Sequence, residues 1–499
     1  MSDKSKLSPE TESRLKASFN LEWRKELRAR IPVKERLQIG RREMPARGHE
    51  RVRDFLEVNQ GLSVEEAVLE AKRCLDCGRP SCVSGCPVGI DIPGFIKLIE
   101  AGEFAASARK LRETNSLPAV CGRVCPQETQ CEQVCNVAKT TGVPVAIGNL
   151  ERFAADLAMR SGTFASLERT AAPTGKKAAV VGAGPAGLTV AGELAKLGHS
   201  VTVFEALHQP GGVLVYGIPE FRLPNRILWA ECGLLERLGV EFRMNFIVGK
   251  TATIEDLRAD GYEAFFIGTG AGLPNFMNIP GENLAGIYSA NEYLTRVNLL
   301  RACEFPVADT PVFRGKRTAV VGGGNVALDS VRTARRLGAE KAMIIYRRSR
   351  VEMPARVEEV RHAEEEGVEF HFLTVPIRYI GDSRGRVAAV ECQRMELGEP
   401  DASGRRKPVP VPGSEFTLEV DVVVVAIGQS PNPLIPQTTS GLKVGRWGNI
   451  EVDPETMATS LPGVFAGGDI VRGGATVILA MGDGRRAAAA MDRYLREKR

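Results

Sequence analysis

Short apolar runs alternate with longer amphipathic segments over the second two thirds of the chain. A run that begins at Ala178 is followed by a glycine-rich turn and a helical pattern, and the same order recurs at Thr318. Further short apolar runs lie at Ala264–Ile267 and Val422–Ile427. Alternation of strands and helices is typical of parallel sheets covered by helices. This part of the chain is therefore predicted to be α/β.

The first third of the chain follows another pattern. Residues 1–60 are polar and compatible with helix, and residues 61–165 give short helical patterns interrupted by cysteines and prolines. The polar stretch Ser161–Lys177 is predicted to be a linker. A small helical domain is therefore expected to precede the α/β part.

Eight of the eleven cysteines fall between residues 74 and 135, and Cys86 and Cys125 are each followed by proline. The eight are Cys74, Cys77, Cys82, Cys86, Cys121, Cys125, Cys131 and Cys135. Such spacing indicates iron–sulfur ligation, and eight thiolates suffice for two four-iron clusters. Zinc, which favours paired CxxC knuckles, and disulfides, which suit small secreted domains, are the alternatives.

Composition and charge narrow the function classes. The chain has 499 residues, of which 43% are hydrophobic and 25% charged, and its formal charge is +5. Uninterrupted apolar runs do not reach the roughly 18 residues of a membrane span, and Met1–Pro9 does not resemble a secretory signal. We expect a cytoplasmic protein with no membrane or nucleic-acid partner. Residues 1–60 hold 15 Lys+Arg against 10 Asp+Glu, which predicts either a solvated face or an arm that docks an acidic partner.

The first glycine-rich turn has the order strand, Gly182-x-Gly184-x-x-Gly187, helix, strand and then Glu205. In a dinucleotide site these glycines allow the tight turn, the approach of the pyrophosphate and the packing of helix on strand. A carboxylate at the end of the second strand is placed to bind a ribose diol. The predicted nucleotide contacts are Gly182, Gly184, Pro185, Ala186, Gly187 and Glu205.

The segment Thr459–Asp469 resembles the second FAD motif of the glutathione- and thioredoxin-reductase superfamily. That resemblance implies FAD in the first site, with Gly468, Asp469 and Thr476 as contacts. It implies a helix starting within Gly473–Ala487 whose N-terminus faces the flavin. It also implies that the FAD domain is split and that the second nucleotide-binding domain is inserted in it.

A second glycine-rich turn begins at Gly322, and the strand that follows its helix ends in Arg347 and Arg348 rather than in an acid. Arginines bind a 2′-phosphate in the place where a carboxylate would repel it. This site is therefore predicted to prefer NADPH over NADH. The predicted contacts are Gly322, Gly324, Asn325, Val326, Arg347 and Arg348.

Together these motifs resemble the small (beta) subunit of bacterial glutamate synthase. They are also similar to the large subunit of the NADH-dependent ferredoxin:NADP oxidoreductase and to the N-terminal part of dihydropyrimidine dehydrogenase. The motifs that carry the resemblance are the spacing from Cys74 to Pro87, Leu117–Pro126, Ile147–Arg152 and both glycine-rich turns. The loop Gly211–Pro224 matches the flavin-proximal loop of the family, which implies cofactor contacts at Gly212 and Arg222.

Spacing alone groups the cysteines into two consecutive quartets, whereas the resemblance implies that they interleave. One cluster would take Cys74, Cys77, Cys82 and Cys135. The other would take Cys86, Cys125, Cys131 and the carboxylate of Glu151. Cys121 is not a ligand in this arrangement.

The resemblance implies four segments, with a helical domain carrying two 4Fe–4S clusters followed by two Rossmann-like domains. Their expected limits are 1–165 for the cluster domain, 170–310 and 426–499 for the FAD domain, and 311–425 for the NADPH domain. A hydride from NADPH would reach FAD, and single electrons would then pass through the clusters to a second redox subunit; no catalytic acid–base group is expected. The candidate partners are a glutamate synthase large subunit, a ferredoxin-NADP-reductase-like small subunit of a bifurcating enzyme, ferredoxin, or a larger redox complex.

Overall fold

The computed structural model describes residues 7–162, 171–401 and 404–497, and begins with a domain of ten helices. They are α1 (Pro9–Phe19), α2 (Glu22–Arg30), α3 (Val33–Arg36), α4 (Val64–Lys72), α5 (Ser81–Ser84), α6 (Ile92–Glu100), α7 (Phe104–Arg112), α8 (Pro118–Val124), α9 (Asn136–Thr141) and α10 (Ile147–Arg160). Helix α4 begins with a capping box of Ser63 and Glu66, and the carboxylate of Asp91 caps α6. The cysteines lie in the short helices and turns between α4 and α10.

The first nucleotide-binding domain follows, and its first strand ends at the glycine-rich turn. Its elements are β1 (Lys177–Val181), α11 (Pro185–Lys196), β2 (Ser200–Phe204), α12 (Val213–Tyr216), α13 (Asn225–Arg237), β3 (Glu241–Arg243), α14 (Ile254–Ala259), β4 (Ala264–Ile267) and β5 (Leu273–Pro274). β1 and β4 are buried over almost their whole length. Such burial on both faces is typical of parallel strands covered by helices.

The second nucleotide-binding domain begins with a strand that the sequence did not assign to it. Its elements are β6 (Ile287–Ser289), α15 (Ala290–Asn298), β7 (Arg317–Val321), α16 (Asn325–Arg336), β8 (Lys341–Tyr346), α17 (Val357–Glu365), β9 (Glu369–Phe372), β10 (Thr374–Gly381), β11 (Val387–Pro400), β12 (Arg406–Pro410), β13 (Phe416–Glu419) and β14 (Val422–Val425). Because β6 pairs in parallel with β14, this domain starts before residue 311. The expected boundary is corrected accordingly.

The chain then returns to the first domain. The last elements are β15 (Gln429–Ser430), α18 (Leu434–Thr438), β16 (Val464–Ala466), α19 (Asp469–Arg472) and α20 (Val477–Glu497). β16 pairs in parallel with β4, so the first sheet has the order β16-β4-β1-β2-β3 and contains strands from both sides of the insertion. The second sheet has the order β6-β14-β7-β8-β9. The expected insertion of one nucleotide domain in the other is thus present.

Two smaller sheets complete the architecture. β10 to β13 form an antiparallel sheet attached to the second domain, and β5 pairs antiparallel with β15 where the chain enters and leaves that domain. Within the described part of the chain, none of the helices is both long and apolar enough to cross a membrane.

The basic N-terminal segment packs against the helical domain. Arg24 and Arg36 are each 2% exposed, and Arg51 is 4% exposed. Arg36 pairs with Glu100, and Arg51 with Glu366 of the second nucleotide domain. The expectation of a solvated or docking arm therefore does not describe these three arginines, which are buried in ion pairs.

Candidate cofactor-binding sites

The structure brings Cys74, Cys77, Cys82 and Cys135 together, and we call them the first cysteine group. The Cys82 thiol lies among the other three. Burial first, and then their charges, raise its pKa well above the usual range. The side-chain amide of Asn136, at the start of α9, donates to Cys77 Sγ at 3.4 Å. Four soft sulfur donors in a water-poor pocket fit the requirements of a four-iron cluster.

Cys86, Cys125, Cys131 and Glu151 form a second cysteine group. Burial raises the pKa of the Cys131 thiol well above its usual range, with contributions from Cys86, Glu151 and Cys125. Glu151 lies on α10 and is 5% exposed. Burial raises its pKa to about 8, against a hydrogen bond of 2.6 Å from the Asn115 side-chain amide. A buried carboxyl with no cation beside it is expensive unless a positive group binds it, so the donor set fits a cluster here as well.

Cys121 lies beside the second group, where its thiol is close to Cys125, Glu151 and Cys86. Its thiol donates to Asn115 Oδ1 at 3.7 Å and lies 3.5 Å from the sulfur of Met481 on α20. It also shares a hydrogen bond with Cys125, which together with burial raises the pKa of Cys125. Cys121 is thus a neighbour of the second group, and the interleaved ligand set stays a prediction, which the grouping of Cys135 with Cys82 and of Cys86 with Cys131 supports.

The cysteines of the described chain form no disulfide, and all eleven are free. In the same residues, no three His, Cys, Asp or Glu side chains converge closely enough to hold a single metal ion. Ligands of a four-iron cluster surround a larger group and stand further apart than those of one ion. Cys232, Cys303 and Cys392 lie outside both cysteine groups.

The first glycine-rich turn forms an open cradle at the end of β1. Gly182 has a φ of +101°, and a Cβ on it would lie 2.6 Å from the carbonyl oxygen of Gly268. A Cβ on Gly187 would lie 2.0 Å from the carbonyl oxygen of Gly182. A Cβ on Gly184, in contrast, would meet no protein atom within 4 Å. Gly184 therefore faces the open space in which a pyrophosphate would approach the start of α11.

Glu205 joins the second strand to this cradle. Its carboxylate accepts from the backbone N–H of Ala183 at 2.7 Å and of Leu207 at 2.9 Å. Burial raises the pKa of Glu205, whereas these backbone donors lower it. The carboxylate of Glu205, which is predicted to bind the ribose, is therefore held in place by the backbone of the glycine-rich turn.

The two other predicted flavin motifs meet the same cradle. A Cβ on Gly212, whose φ is +55°, would lie 3.0 Å from Gly184 Cα, and one on Gly468 would lie 3.3 Å from Ala186 Cβ. Burial raises the pKa of Asp469 to about 6, against a hydrogen bond from the Ala475 N–H. Helix α20 begins at Val477, just after Thr476 and within the expected range Gly473–Ala487. The cradle fits FAD, because glycines from three separate segments, at Gly184, Gly212 and Gly468, meet there and leave open space at Gly184.

Two residues that support these sites, Asp483 and Asn115, lie outside the motifs from which the sites are predicted. Asp483 on α20 is fully buried and accepts from the Gly468 N–H at 3.1 Å and from Arg472 and Arg486. It thus fixes the backbone beside Asp469. Its signal in the sequence is the pair of flanking glycines, since a Cβ on Gly484 would lie 2.7 Å from Ala186 O. Asn115, which holds Glu151 and Cys121, carries no comparable signal.

The second glycine-rich turn repeats the geometry of the first. Gly322 has a φ of +145°, and a Cβ on it would lie 2.3 Å from Ala426 O, whereas one on Gly324 would meet nothing within 4 Å. The ring of Tyr346, at the end of β8, packs on Gly323. Asn325 Oδ1 accepts from the Arg356 N–H at 2.9 Å, so Asn325 is engaged with the chain, while Val326 is 41% exposed.

The two arginines after β8 differ in their surroundings. Arg347 is exposed at the end of the strand. Arg348 is 4% exposed and binds Asp401 Oδ2 at 2.5 Å and Arg406 O at 2.8 Å. Of the pair, Arg347 is the arginine that remains free to meet a 2′-phosphate.

Arg222 lies at the interface between the two nucleotide domains rather than in the flavin cradle. Its Nη1 donates to both carboxylate oxygens of Asp329 at 2.8 Å, and its Nε lies 3.2 Å from Glu359. Burial works to lower its pKa, but Asp329 and Glu359 raise it overall. The expected cofactor contact is therefore corrected to an ion pair with α16 and α17.

Replacing Arg222 by alanine is expected to destabilise the protein by about 3–5 kcal/mol, because it leaves the buried carboxylates of Asp329 and Glu359 without this partner. Chemical denaturation of the flavin-loaded chain would measure the loss. Arg226→Ala, four residues on with a side chain 70% exposed, serves as the control and should cost less than 1 kcal/mol. Loss of flavin from folded Arg222→Ala protein would contradict this role.

Gly184→Ala and Gly324→Ala are expected to separate the two nucleotide sites. Both glycines have ordinary extended φ values and room for a Cβ, so both variants should fold. The added methyl group occupies the space of the pyrophosphate, and a loss of about 1.4 kcal/mol weakens binding tenfold. Flavin absorbance should fall only for Gly184→Ala and the KM for NADPH should rise only for Gly324→Ala. The reverse pattern would exchange the two assignments.

Helix α20 connects the cradle to the second cysteine group. A Cβ on Gly482 would lie 3.0 Å from the carbonyl oxygen of Pro87, the residue after Cys86. The sulfur of Met481 touches Cys121. The helix that closes the cradle thus also touches the segments that carry Cys86 and Cys125.

The chain matches two protein-family models. Residues 51–163 match dihydropyrimidine dehydrogenase domain II, 4Fe-4S cluster, and residues 176–484 match pyridine nucleotide-disulphide oxidoreductase. The solved structure of FprA from Mycobacterium tuberculosis superposes with a TM-score of 0.54 at 21% identity, covering 64% of this chain and 85% of that one. These findings confirm the predicted fold class.

Curated relatives span most of the chain. It is 43% identical to the NADP(+)-dependent formate dehydrogenase subunit beta of Moorella thermoacetica over 83% of its own length, and spans 60% of that subunit. It is 39% identical to the glutamate synthase [NADPH] small chain of Azospirillum brasilense, over 90% of its own length and 93% of that chain. It is 38% identical to the NADPH-Fe(3+) oxidoreductase subunit beta of Geobacter sulfurreducens, over 89% and 67%.

Proposed function

Because the chain belongs to the family of glutamate synthase small chains and related oxidoreductases, we propose that it is the NADPH-oxidising subunit of a larger redox enzyme. FAD occupies the cradle at Gly182–Gly187 and NADPH binds at Gly322 and Arg347. Two four-iron clusters are held by the two cysteine groups, with Glu151 as the eighth ligand. The predicted family is confirmed by these relatives.

The observation that carries this proposal is the position of α20. Its first turns follow the predicted flavin contacts Asp469 and Thr476, and its residues Met481 and Gly482 touch the segments of the second cysteine group. A flavin in the cradle would therefore lie next to that group. The order supported is flavin, second group and first group.

The residues of the chain bind and orient these groups. When bound, FAD supplies the exchange between a two-electron hydride from NADPH and the single electrons that iron–sulfur clusters carry. Glu205, held by the Ala183 N–H, would bind the ribose and Asp469 would bind the ribityl chain, while Asp483 fixes the backbone at Gly468 beside Asp469. The ion pair of Arg222 with Asp329 holds the NADPH domain against the flavin domain. The chain thereby keeps the nicotinamide and flavin sites in register.

The partner is a second subunit, since the relatives are named as small or beta subunits. We propose either a glutamate synthase large subunit or a ferredoxin-NADP-reductase-like small subunit as that partner, with ferredoxin as a further acceptor. Because iron–sulfur clusters persist in a reducing compartment, we propose a cytoplasmic location.

An electron-transfer module of a larger complex is the second candidate. The observation in its favour is the 43% identity to a formate dehydrogenase beta subunit of which this chain spans only 60%. In such an assembly the chain passes electrons to or from a dehydrogenase and has no acceptor reaction of its own.

Anaerobic purification with native partners would test both candidates. NADPH oxidation is measured with glutamine plus 2-oxoglutarate, with ferredoxin plus NAD, and with an artificial one-electron dye. A glutamate synthase subunit is expected to show turnover in the first assay, and a subunit of a bifurcating enzyme in the second. Turnover with the dye alone supports an electron-transfer module of a larger complex. Flavin-loaded protein that fails to reduce the dye with NADPH contradicts the proposed function.

A further inference from the structure

The N-terminal helices hold the loop between Cys74 and Cys77. Arg24 on α2 donates from Nε to both oxygens of Asp76 at 3.0 Å and from Nη2 to Oδ1 at 2.5 Å. Arg28, one turn further on, donates to Asp76 Oδ2 at 2.6 Å. The Asp76 side chain is 0% exposed. One buried carboxylate of the cysteine loop therefore receives two guanidinium groups from a helix about 50 residues earlier.

The backbone of the loop depends on this pairing. Asp76 has a φ of +51°, a left-handed conformation that costs energy for residues other than glycine. Its carboxylate compensates by accepting charge-assisted hydrogen bonds, which are stronger than neutral ones. Arg24 Nη1 also donates to Ser18 Oγ at 2.7 Å, and Ser18 donates to Asp91 at 2.6 Å. Helices α1 and α2 are thereby fixed to the first cysteine group and to the cap of α6.

A third cation, Lys97, holds the end of the loop at Cys74. Lys97 on α6 is 0% exposed, and its ammonium group donates to Cys74 O at 2.6 Å and to Glu100 at 2.5 Å. Lys97 thus holds the backbone at the cysteine that begins the first group, while Arg24 and Arg28 hold the loop at Asp76.

The two cysteine groups differ in charge. Around the first, the cations Arg24, Arg28, Lys97 and Arg36 face the carboxylates of Asp76, Asp91 and Glu100, which leaves one positive charge in excess. In the second group the carboxylate of Glu151 takes the place of a thiolate of equal charge, its hydrogen-bond partner Asn115 is neutral, and Arg356 is the cation that acts on Cys125. One-electron reduction adds a negative charge to a cluster, and nearby net charge is among the factors that set its potential. The cationic shell favours the reduced form of the first group.

We propose that Arg24 and Asp76 are positioning residues that make α1 and α2 part of the first cluster site, and that their charges tune its reduction potential in opposite directions, Arg24 raising it and Asp76 lowering it. The inference rests on the proposed binding of a four-iron cluster by the first cysteine group. It assigns to the basic N-terminal segment a role in directing electrons toward the first group, away from the flavin.

The charge model makes a prediction with two opposite signs. Arg24→Gln removes a positive charge, so the potential of one cluster should fall, whereas Asp76→Asn removes a negative charge, so it should rise. The potential of the other cluster should not move in either variant. Arg24→Lys, which keeps the charge, should restore most of the wild-type value. The measurement is a redox titration of the anaerobically purified full-length chain, followed by electron paramagnetic resonance.

Lys25→Gln is the matched control, because Lys25 is next to Arg24 but points to solvent with a side chain 47% exposed. It should leave both potentials unchanged. Hydrogen exchange in the iron-loaded full-length protein gives a second readout. The amides of α2 should exchange several-fold faster in Asp76→Asn than in wild type, and at the wild-type rate in Lys25→Gln.

The outcomes separate this inference from the proposed function. Wild-type protein that binds no iron would contradict both. Two bound clusters whose potentials stay fixed in Arg24→Gln, or shift in the same direction in Arg24→Gln and Asp76→Asn, would overturn the inference alone. If Arg24→Gln loses iron, Arg28→Gln removes a partly exposed charge from the same carboxylate. The potential of the first cluster should then fall in Arg28→Gln by a smaller amount, and an unchanged potential would overturn the inference.

Discussion

Cys125→Ala is expected to lose one of the two clusters, so that iron and acid-labile sulfide fall to about half of the wild-type content. Cys125 lies at the end of α8 among Cys86, Cys131 and Glu151, and alanine offers no ligand. Cys121→Ala, only one helical turn away, is expected to retain both clusters. The Cys121 thiol contacts Asn115 and Met481 as well as Cys125, and the interleaved set does not include it among the ligands. Iron analysis of the anaerobically purified variants makes the comparison.

Glu151 allows the assignment to be tested further. Glu151→Cys supplies a thiolate in place of the carboxylate and should keep the cluster with a changed potential, whereas Glu151→Ala should weaken it. Full iron in Cys125→Ala together with half in Cys121→Ala would restore the arrangement of consecutive quartets. That result would contradict the interleaved set.

Arg347→Glu is expected to lower kcat/KM for NADPH by about 100-fold and to leave NADH nearly unaffected. A hydrogen bond to a charged group is worth roughly 1.5–3 kcal/mol, and the new carboxylate also repels the 2′-phosphate. Because 1.4 kcal/mol is a factor of ten, the sum is about two orders of magnitude. Steady-state kinetics with both nucleotides and a one-electron dye would measure it.

Lys341→Glu is the matched control for that change. Lys341 is exposed at the beginning of β8, whereas Arg347 follows the end of the same strand. The control makes the same charge reversal at the edge of the sheet opposite the glycine-rich turn, so NADPH and NADH should be used as in wild type. Equal losses in the two variants would show that net charge, rather than a bound 2′-phosphate, causes the effect. A wild-type preference for NADH would overturn the assignment.

Local patterns predicted the nucleotide-binding parts of this fold well. The apolar run Ala264–Ile267 is β4 to the residue, and Val422–Ile427 contains β14. Both glycine-rich turns have the expected open position at their second glycine. These features depend on neighbours within a few residues, on backbone sterics and on the burial of parallel strands, so a single sequence carries them.

Such local patterns do not predict contacts between segments that are distant in the sequence. Arg222 was assigned to the flavin because it lies in a matching loop, yet its partner is Asp329 on another domain. Arg348 looks like its neighbour in the sequence but pairs with Asp401. The short strand β6 lacks a strong apolar pattern and becomes recognisable only through its pairing with β14. Charge sign alone does not tell a solvated arginine from a buried one.

The short ribbon of β5 and β15 has a consequence for how such chains diversify. Pro274 pairs with Gln429 and Leu273 with Ser430, so the two ends of the inserted domain lie side by side. A domain with adjacent ends can be exchanged as a cassette, because the host needs no rebuilding to close the gap. An exchanged cassette would still need carboxylates at the positions of Asp329 and Glu359 to accept Arg222. Coenzyme preference could therefore change by recombination at one ribbon while the flavin and cluster domains are inherited intact.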